Sequence, residues 1–145
     1  MSAALSTVWL PLVLRRQLWA HARREQPREC VGVLGGTSSG EGWQAQVYVP
    51  LPNVAERAEV QYRADPAALI RALRELRAQQ LSLVGLFHSH PRGPQQPSAT
   101  DIAAASYAVP YLIVDLSAGT LRGFLLPEGA EVAVRPRPGC YPELL

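Results

Sequence analysis

Two histidines one residue apart, His88 and His90, end an apolar run from Leu81 that is rich in Leu, Val and Phe. Such a run reads as a strand, and strand side chains two apart point to the same face. The pair then offers two imidazoles side by side, the first two ligands of a metal ion. Zinc takes His nitrogen and carboxylate oxygen in a tetrahedral site and keeps an open position for water where the site is catalytic. An isolated His-x-His reads more readily as two surface histidines, because the motif is short and accidental matches are common. Asp101 opens the next expected helix, where Ser98-x-x-Asp101 fits a capping box. Taken alone it reads as a cap, and one carboxylate is not expected to serve both a cap and a metal. Ser98 can cap and still present its hydroxyl to a substrate. Glu29 enters the apolar run Cys30 to Leu34, a costly place for a carboxylate unless it is paired or hydrogen-bonded. The alternative for Glu29 is an exposed strand-entry residue.

These residues need elements to hold them. Val8 to Leu10 reads as a short strand, and Pro11 suits the start of a helix with Leu14, Leu18 and Ala22 on one face. Pro27 closes that helix. Cys30 to Leu34 and Ala45 to Val49 read as a hairpin around a Gly-Ser turn, followed by a polar connection and a short strand at Val60 to Arg63. Asp65-Pro66 opens a second helix, ending near Gln80. After the strand that ends at His90 come a Pro-rich loop, Pro91 to Pro97, and an Ala-rich helix over Ser98 to Tyr107. Tyr111 to Leu116 and Leu121 to Leu126 form a second hairpin, and Glu131 to Arg135 a last edge strand before a Pro-rich tail. The sum is a mixed β-sheet flanked by helices, an α/β or α+β single domain. One domain is expected over residues 1–145, with its core at about 8–126 and the tail at 127–145.

Composition narrows the function classes. A net charge of +2 does not argue for a nucleic-acid surface, and no aromatic-basic motif accompanies it. Cys30 and Cys140 make no disulfide framework, which fits a reducing cytoplasm. The apolar N-terminal stretch lacks a basic start and meets Arg15 and Arg16 too early for a membrane span, so neither a signal peptide nor a membrane segment is expected. All 14 basic residues are Arg. Codon usage explains that, and so does selection against a modifiable lysine. His21 reads as a solvated helix-surface residue, and Cys30 as a small buried hydrophobe. Arg71, Arg74 and Arg77 read as a solvated helix face, with docking of an acidic carrier as the alternative.

Taken together, His88-Ser89-His90-Pro91, Ser98, Asp101 and the upstream Glu29 before Cys30-Val31-Gly32-Val33-Leu34-Gly35 resemble the JAMM (MPN+) metalloprotease family. Pro27-Arg28-Glu29, Asn53-Val54-Ala55-Glu56, Asp65-Pro66 and Tyr111-Leu112-Ile113-Val114 are similar to its short bacterial members, the Mec-type peptidases among them. The resemblance implies an MPN-type domain of cytidine-deaminase-like architecture. It implies one Zn2+ per chain, held by His88, His90 and Asp101 with a catalytic water in the fourth position. Glu29 is then the general base and Ser98 the oxyanion donor, with Ser89 and Pro91 structural. Each zinc-ligating histidine is expected to need an acceptor for its other ring nitrogen, with Asp115 and strand carbonyls as candidates.

The family cleaves peptide or isopeptide bonds after a C-terminal Gly-Gly. The implied partner is a ubiquitin-fold sulfur-carrier or small modifier protein, with neither nucleic acid nor membrane involved. The leading expectation is hydrolysis of a carrier's C-terminal adduct, releasing cysteine in sulfur metabolism. The alternatives are a desampylase-like isopeptidase acting on lysine-linked modifiers and a non-catalytic scaffold. The oligomeric state stays open between monomer and dimer.

Overall fold

The computed structural model describes residues 7–136. Seven strands and three helices alternate in the order β1 (Thr7–Trp9), α1 (Leu12–Glu25), β2 (Val31–Ser39), β3 (Gly42–Leu51), α2 (Pro66–Ala78), β4 (Ser82–His90), α3 (Ala99–Ala104), β5 (Tyr111–Asp115), β6 (Thr120–Leu125) and β7 (Ala130–Arg135). The α+β class is as expected, but the sheet is not open. It closes in the order β1-β3-β2-β4-β5-β6-β7, because β1 pairs in parallel with β3 through Val8 and Trp9 and with β7 through all three of its residues. The segment 131–135 is therefore no edge strand, and the fold continues past the core boundary expected at 126. Closure satisfies backbone groups that an edge would leave unpaired.

Local chemistry explains most elements. Asp65 caps α2 by accepting from the Ala68 N–H at 2.9 Å, with Pro66 at the first helical position. Strand alternation sends Phe87 into the cluster that packs α1 on the barrel, with Leu14, Leu18 and Leu112, while Leu86 packs with Val31, Val33 and Ala72 under α2. His88 and His90 share the parity of Leu86.

Three further expectations are corrected. Val60 to Arg63 is not a strand. One isolated bridge joins Asn53 and Ala64, and the Asn53 side chain takes backbone groups that a strand would have paired. The third helix stops at Ala104 rather than Tyr107, and the Tyr111 hydroxyl accepts from the Ser106 and Tyr107 N–H groups at 3.1 and 3.2 Å. His21 is buried rather than solvated. Its Nδ1 lies 2.6 Å from the Tyr48 hydroxyl, and burial lowers its pKa. The spacing of α1 put His21 on the helix edge, and β3 then covered it.

Candidate metal centre

The antiparallel pairing of β2 with β4 sets Val31 beside His88, two residues from Glu29. Ser89 reinforces that register: its hydroxyl accepts from the Cys30 N–H at 2.8 Å, and its own N–H donates to the Cys30 carbonyl at 3.2 Å. Glu29 is thus brought to the end of β4 that carries the histidines. The Pro-rich loop then turns the chain so that the first turn of α3 faces the same point. One potential ligand atom each from Glu29, His88, His90 and Asp101 lies within 4.8 Å of the others, and all four residues are buried.

The geometry is tight. His88 Nε2 and His90 Nε2 are 3.2 Å apart, and Asp101 Oδ2 stands 3.1 and 3.0 Å from them. Three ligands of a tetrahedral ion with bonds of roughly 2.0–2.1 Å are separated by about 3.3 Å, so the triangle fits such an ion. Two neutral imidazole lone pairs aimed at one carboxylate oxygen repel unless a cation or proton lies among them. The donor set, two nitrogens and one carboxylate oxygen, is that of a zinc site with an open position. Glu29 Oε1 is buried without a hydrogen-bond partner among the described residues, as a carboxylate held ready for a ligand at this point would be.

Asp101 corrects the expectation that it must choose one task. The capping box is complete: Ser98 Oγ accepts from the Asp101 N–H at 3.0 Å, and Asp101 Oδ2 accepts from the Ser98 N–H at 2.8 Å. That same Oδ2 faces both histidines. A carboxylate oxygen has two lone pairs, so one can take the cap while the other faces the cluster. Ser98, Glu29 and His90 all line a small cavity of about 120 Å³ beside the cluster.

Electrostatics divides the four groups. Burial pushes the Glu29 carboxyl up to about 8, with His90 opposing and Asp101 adding to the shift. Burial also acts on Asp101, but the His88 and His90 rings against its Oδ2 outweigh it, with the Ser98 N–H adding to them, and hold this carboxyl well below the usual carboxylate range. Desolvation lowers the pKa of fully enclosed His88. For His90 it is outweighed by Asp101 and the Pro94 carbonyl, which raise it. One carboxyl is thus kept as a fixed anion, and another is tuned toward neutrality, the range suited to proton transfer.

The supports of the histidines differ from expectation. His90 Nδ1 donates to the Pro94 carbonyl at 2.6 Å, a loop group rather than Asp115 or a strand carbonyl. The loop is anchored by buried Gln95, which donates to the Ile113 carbonyl at 2.8 Å and accepts from the Thr120 hydroxyl. Asp115 instead caps its own turn, accepting from Ser117 and Ala118. His88 Nδ1 has no partner among the described residues. Its ring is stacked by Tyr62 at 4.4 Å between centroids and 26° between planes. Tyr62 was missed in the sequence because it falls in an irregular segment. The nearby Asn53-Val54-Ala55-Glu56 carried a family likeness but no role.

Beyond Tyr62 lies a second cavity of about 220 Å³, lined mainly by apolar side chains that include Val31, Leu51, Leu69, Leu86 and Tyr111. It adjoins the metal centre through the shared Tyr62 wall. No helix among the described residues is long and apolar enough to cross a membrane.

Comparison with known proteins places this geometry. The chain is 42% identical over 127 residues to a probable TtuB-protein conjugate cleaving protease of Thermus thermophilus, covering 88% of this chain and 81% of the relative. It is 35% identical over 97 residues to a desampylase of Haloferax volcanii, covering 64% and 68%, and 31% identical over 115 residues to a CysO-cysteine peptidase of Mycobacterium tuberculosis, covering 77% of each. The solution structure of a Desulfitobacterium hafniense protein superposes with a TM-score of 0.81 at 29% identity, over 90% of this chain and 92% of the other. Residues 11–126 match the family described as prokaryotic homologs of the JAB domain, and the chain belongs to that family, the JAMM (MPN+) metalloproteases.

Proposed function

We propose that this chain is a zinc-dependent peptidase that hydrolyses the bond after the C-terminal Gly-Gly of a ubiquitin-fold carrier or modifier, and that it does so in the cytoplasm. The observation that carries the reading is the near-equilateral triangle of His88 Nε2, His90 Nε2 and Asp101 Oδ2, with buried Glu29 Oε1, unpartnered among the described residues, beside it. When bound there, zinc acts as a Lewis acid and lowers the pKa of a coordinated water.

The chain's own residues divide the rest. Glu29, whose buried Oε1 has no partner among the described residues, accepts a proton from the attacking water and returns it to the leaving amine. The Ser98 hydroxyl, whose oxygen is held by the Asp101 N–H, keeps its own proton free to donate to the oxyanion. Asp101 stays ionised throughout, and His90 is kept in one orientation by the Pro94 carbonyl. The small cavity at Ser98 favours a residue without a side chain next to the scissile bond, which is the physical case for glycine. The larger apolar cavity on the far side of Tyr62 suits apolar side chains further back in an extended tail.

Two leaving groups are in question. The relative of 42% identity, named for cleaving TtuB conjugates, supports an amide to a protein amine. Release of cysteine from a carrier is the second reading, supported by the 31% identical CysO-cysteine peptidase. Incubating the zinc-loaded protein with a lysine-linked carrier conjugate and with a carrier–cysteine adduct, followed by mass spectrometry, tests both. Cleavage after Gly-Gly, faster for one of the two, is the expected result. Failure on both, with zinc content verified, overturns the reading.

A further inference from the structure

The segment between β3 and α2 has no regular structure, yet a single side chain organises it. Asn53 is 7% exposed. Its carboxamide donates to the Glu29 carbonyl at 2.9 Å and the Gln61 carbonyl at 3.0 Å, with a longer contact of 3.4 Å to the Ala58 carbonyl. Its oxygen accepts from the Ala55 and Arg63 N–H groups, both at 3.0 Å. Two donors and two lone pairs are the whole capacity of the group, and all are used. Carbonyls surround the nitrogen and N–H groups surround the oxygen, which fixes the orientation of the amide.

Two sets of these partners reach the metal centre. Glu29 is tied to the segment at both ends: its carbonyl accepts from Asn53, and its N–H donates to the Ala58 carbonyl at 2.7 Å. The peptide that aims the Glu29 carboxylate is therefore clamped by the loop. Gln61 and Arg63 flank Tyr62, so the amide grips the chain on both sides of the ring that stacks on His88. His88 Nδ1 has no hydrogen-bond partner among the described residues, and the Tyr62 face packs on this ring. A further bond, from Arg28 Nη2 to the Asn53 carbonyl at 2.6 Å, fastens the same corner to the residue before Glu29.

We propose that Asn53 is a positioning residue, and that its one carboxamide sets the general base Glu29 and the His88-stacking Tyr62 in register with each other. The inference rests on the metallopeptidase reading above. A general base and a metal ligand must be held in mutual alignment to a fraction of an ångström, and misplacement by about 1 Å costs on the order of 10²-fold in rate. Separate supports would let the two drift independently. A shared one makes them move together.

Asn53→Asp separates positioning from folding. Aspartate has the same shape and still accepts from Ala55 and Arg63, but it cannot donate to the Glu29 and Gln61 carbonyls. Asn53→Ala removes both halves. For the Asp variant we expect full zinc occupancy, amide protons of Ala55 and Arg63 still protected from exchange, and KM within about twofold of the parent. We expect kcat lower by roughly 10- to 100-fold. Loaded with cobalt(II), it should show a changed visible spectrum, because the ligand field follows the orientation of His88. The Ala variant should lose the amide protection as well.

An Asp variant with the parent's kcat and cobalt spectrum overturns the proposal. So does loss of amide protection together with activity in that variant, which would make Asn53 a folding residue only. If the parent itself cleaves no carrier conjugate, the functional reading falls separately, and the cobalt spectrum and amide exchange still decide the role of Asn53.

Discussion

The barrel holds two buried histidine sites on opposite faces of β4, reached through neighbouring residues of that strand. On one face Phe87 meets the edge of Tyr48, whose hydroxyl pairs with His21. On the other, His88 and His90 converge with Asp101. His21 is matched by one neutral partner, and burial lowers its pKa, so the ring is a satisfied part of the packing of α1. The second face has an excess of acceptors aimed at one point and a buried carboxylate oxygen without a partner among the described residues. Burial alone does not mark a functional histidine. What marks it is a polar cluster that cannot satisfy itself without a ligand.

The sharpest way to break this contrast is to remove one side chain from each side. Asp101→Ala should abolish zinc binding and reduce activity to background, whereas His21→Ala should retain zinc and activity in its folded fraction. Elemental analysis and turnover on one substrate compare them. A zinc-loaded Asp101→Ala protein would contradict the ligand assignment.

Next in size is Glu29→Gln, which keeps the side-chain shape and removes the proposed base. Zinc should remain bound while kcat falls by about 10²–10⁴-fold. Retained turnover would show that the proton passes elsewhere.

The same substitution should act oppositely on stability in the metal-free protein. With a folded pKa of about 8 against 4.5 for the unstrained group, the native state holds a proton that the unfolded chain has released. Stability therefore falls as pH rises from the unfolded value to the folded one, and the loss is complete above that window. Metal-free Glu29→Gln should be more stable than the parent at pH near 8 by about 4 kcal/mol, and equal to it near pH 4. Denaturant titration at both pH values is the measurement. A constant difference across them would remove burial of the carboxyl as the cause.

The smallest effect belongs to the structural pair. Tyr48→Phe deletes the hydroxyl on His21 and should cost about 1–2 kcal/mol of stability, with kcat and KM unchanged. A change in kcat would mean that the two faces of β4 are coupled, which the separation of the two hydrophobic clusters gives no reason to expect.

Much of this was legible in the chain. The alternation that ends at His90 placed two imidazoles on one face, and Ser98-x-x-Asp101 announced a helix start. Both hold, since the rings stand 4.9 Å apart between centroids and the capping box is formed. Local rules suffice there, because the groups concerned lie within a few residues of one another. They failed for His21, where periodicity gave the helix face but not the strand that would cover it. They failed also for Val60 to Arg63, whose short apolar pattern reads as a strand until the Asn53 carboxamide competes for its backbone.

The sequence by itself determined the inventory: which side chains can bind a cation, on which strand and helix ends they lie, and that the pattern as a whole resembles one family. Only the tertiary structure decided that Glu29 reaches a cluster encoded some 60–70 residues later, through the β2–β4 register and the Ser89 staple. It alone assigned one oxygen of Asp101 to both cap and cluster, and brought Tyr62 over His88. The physical reason is range. Strand alternation and helix capping act between near neighbours, whereas the meeting of distant groups is set by which faces the packed core buries against each other.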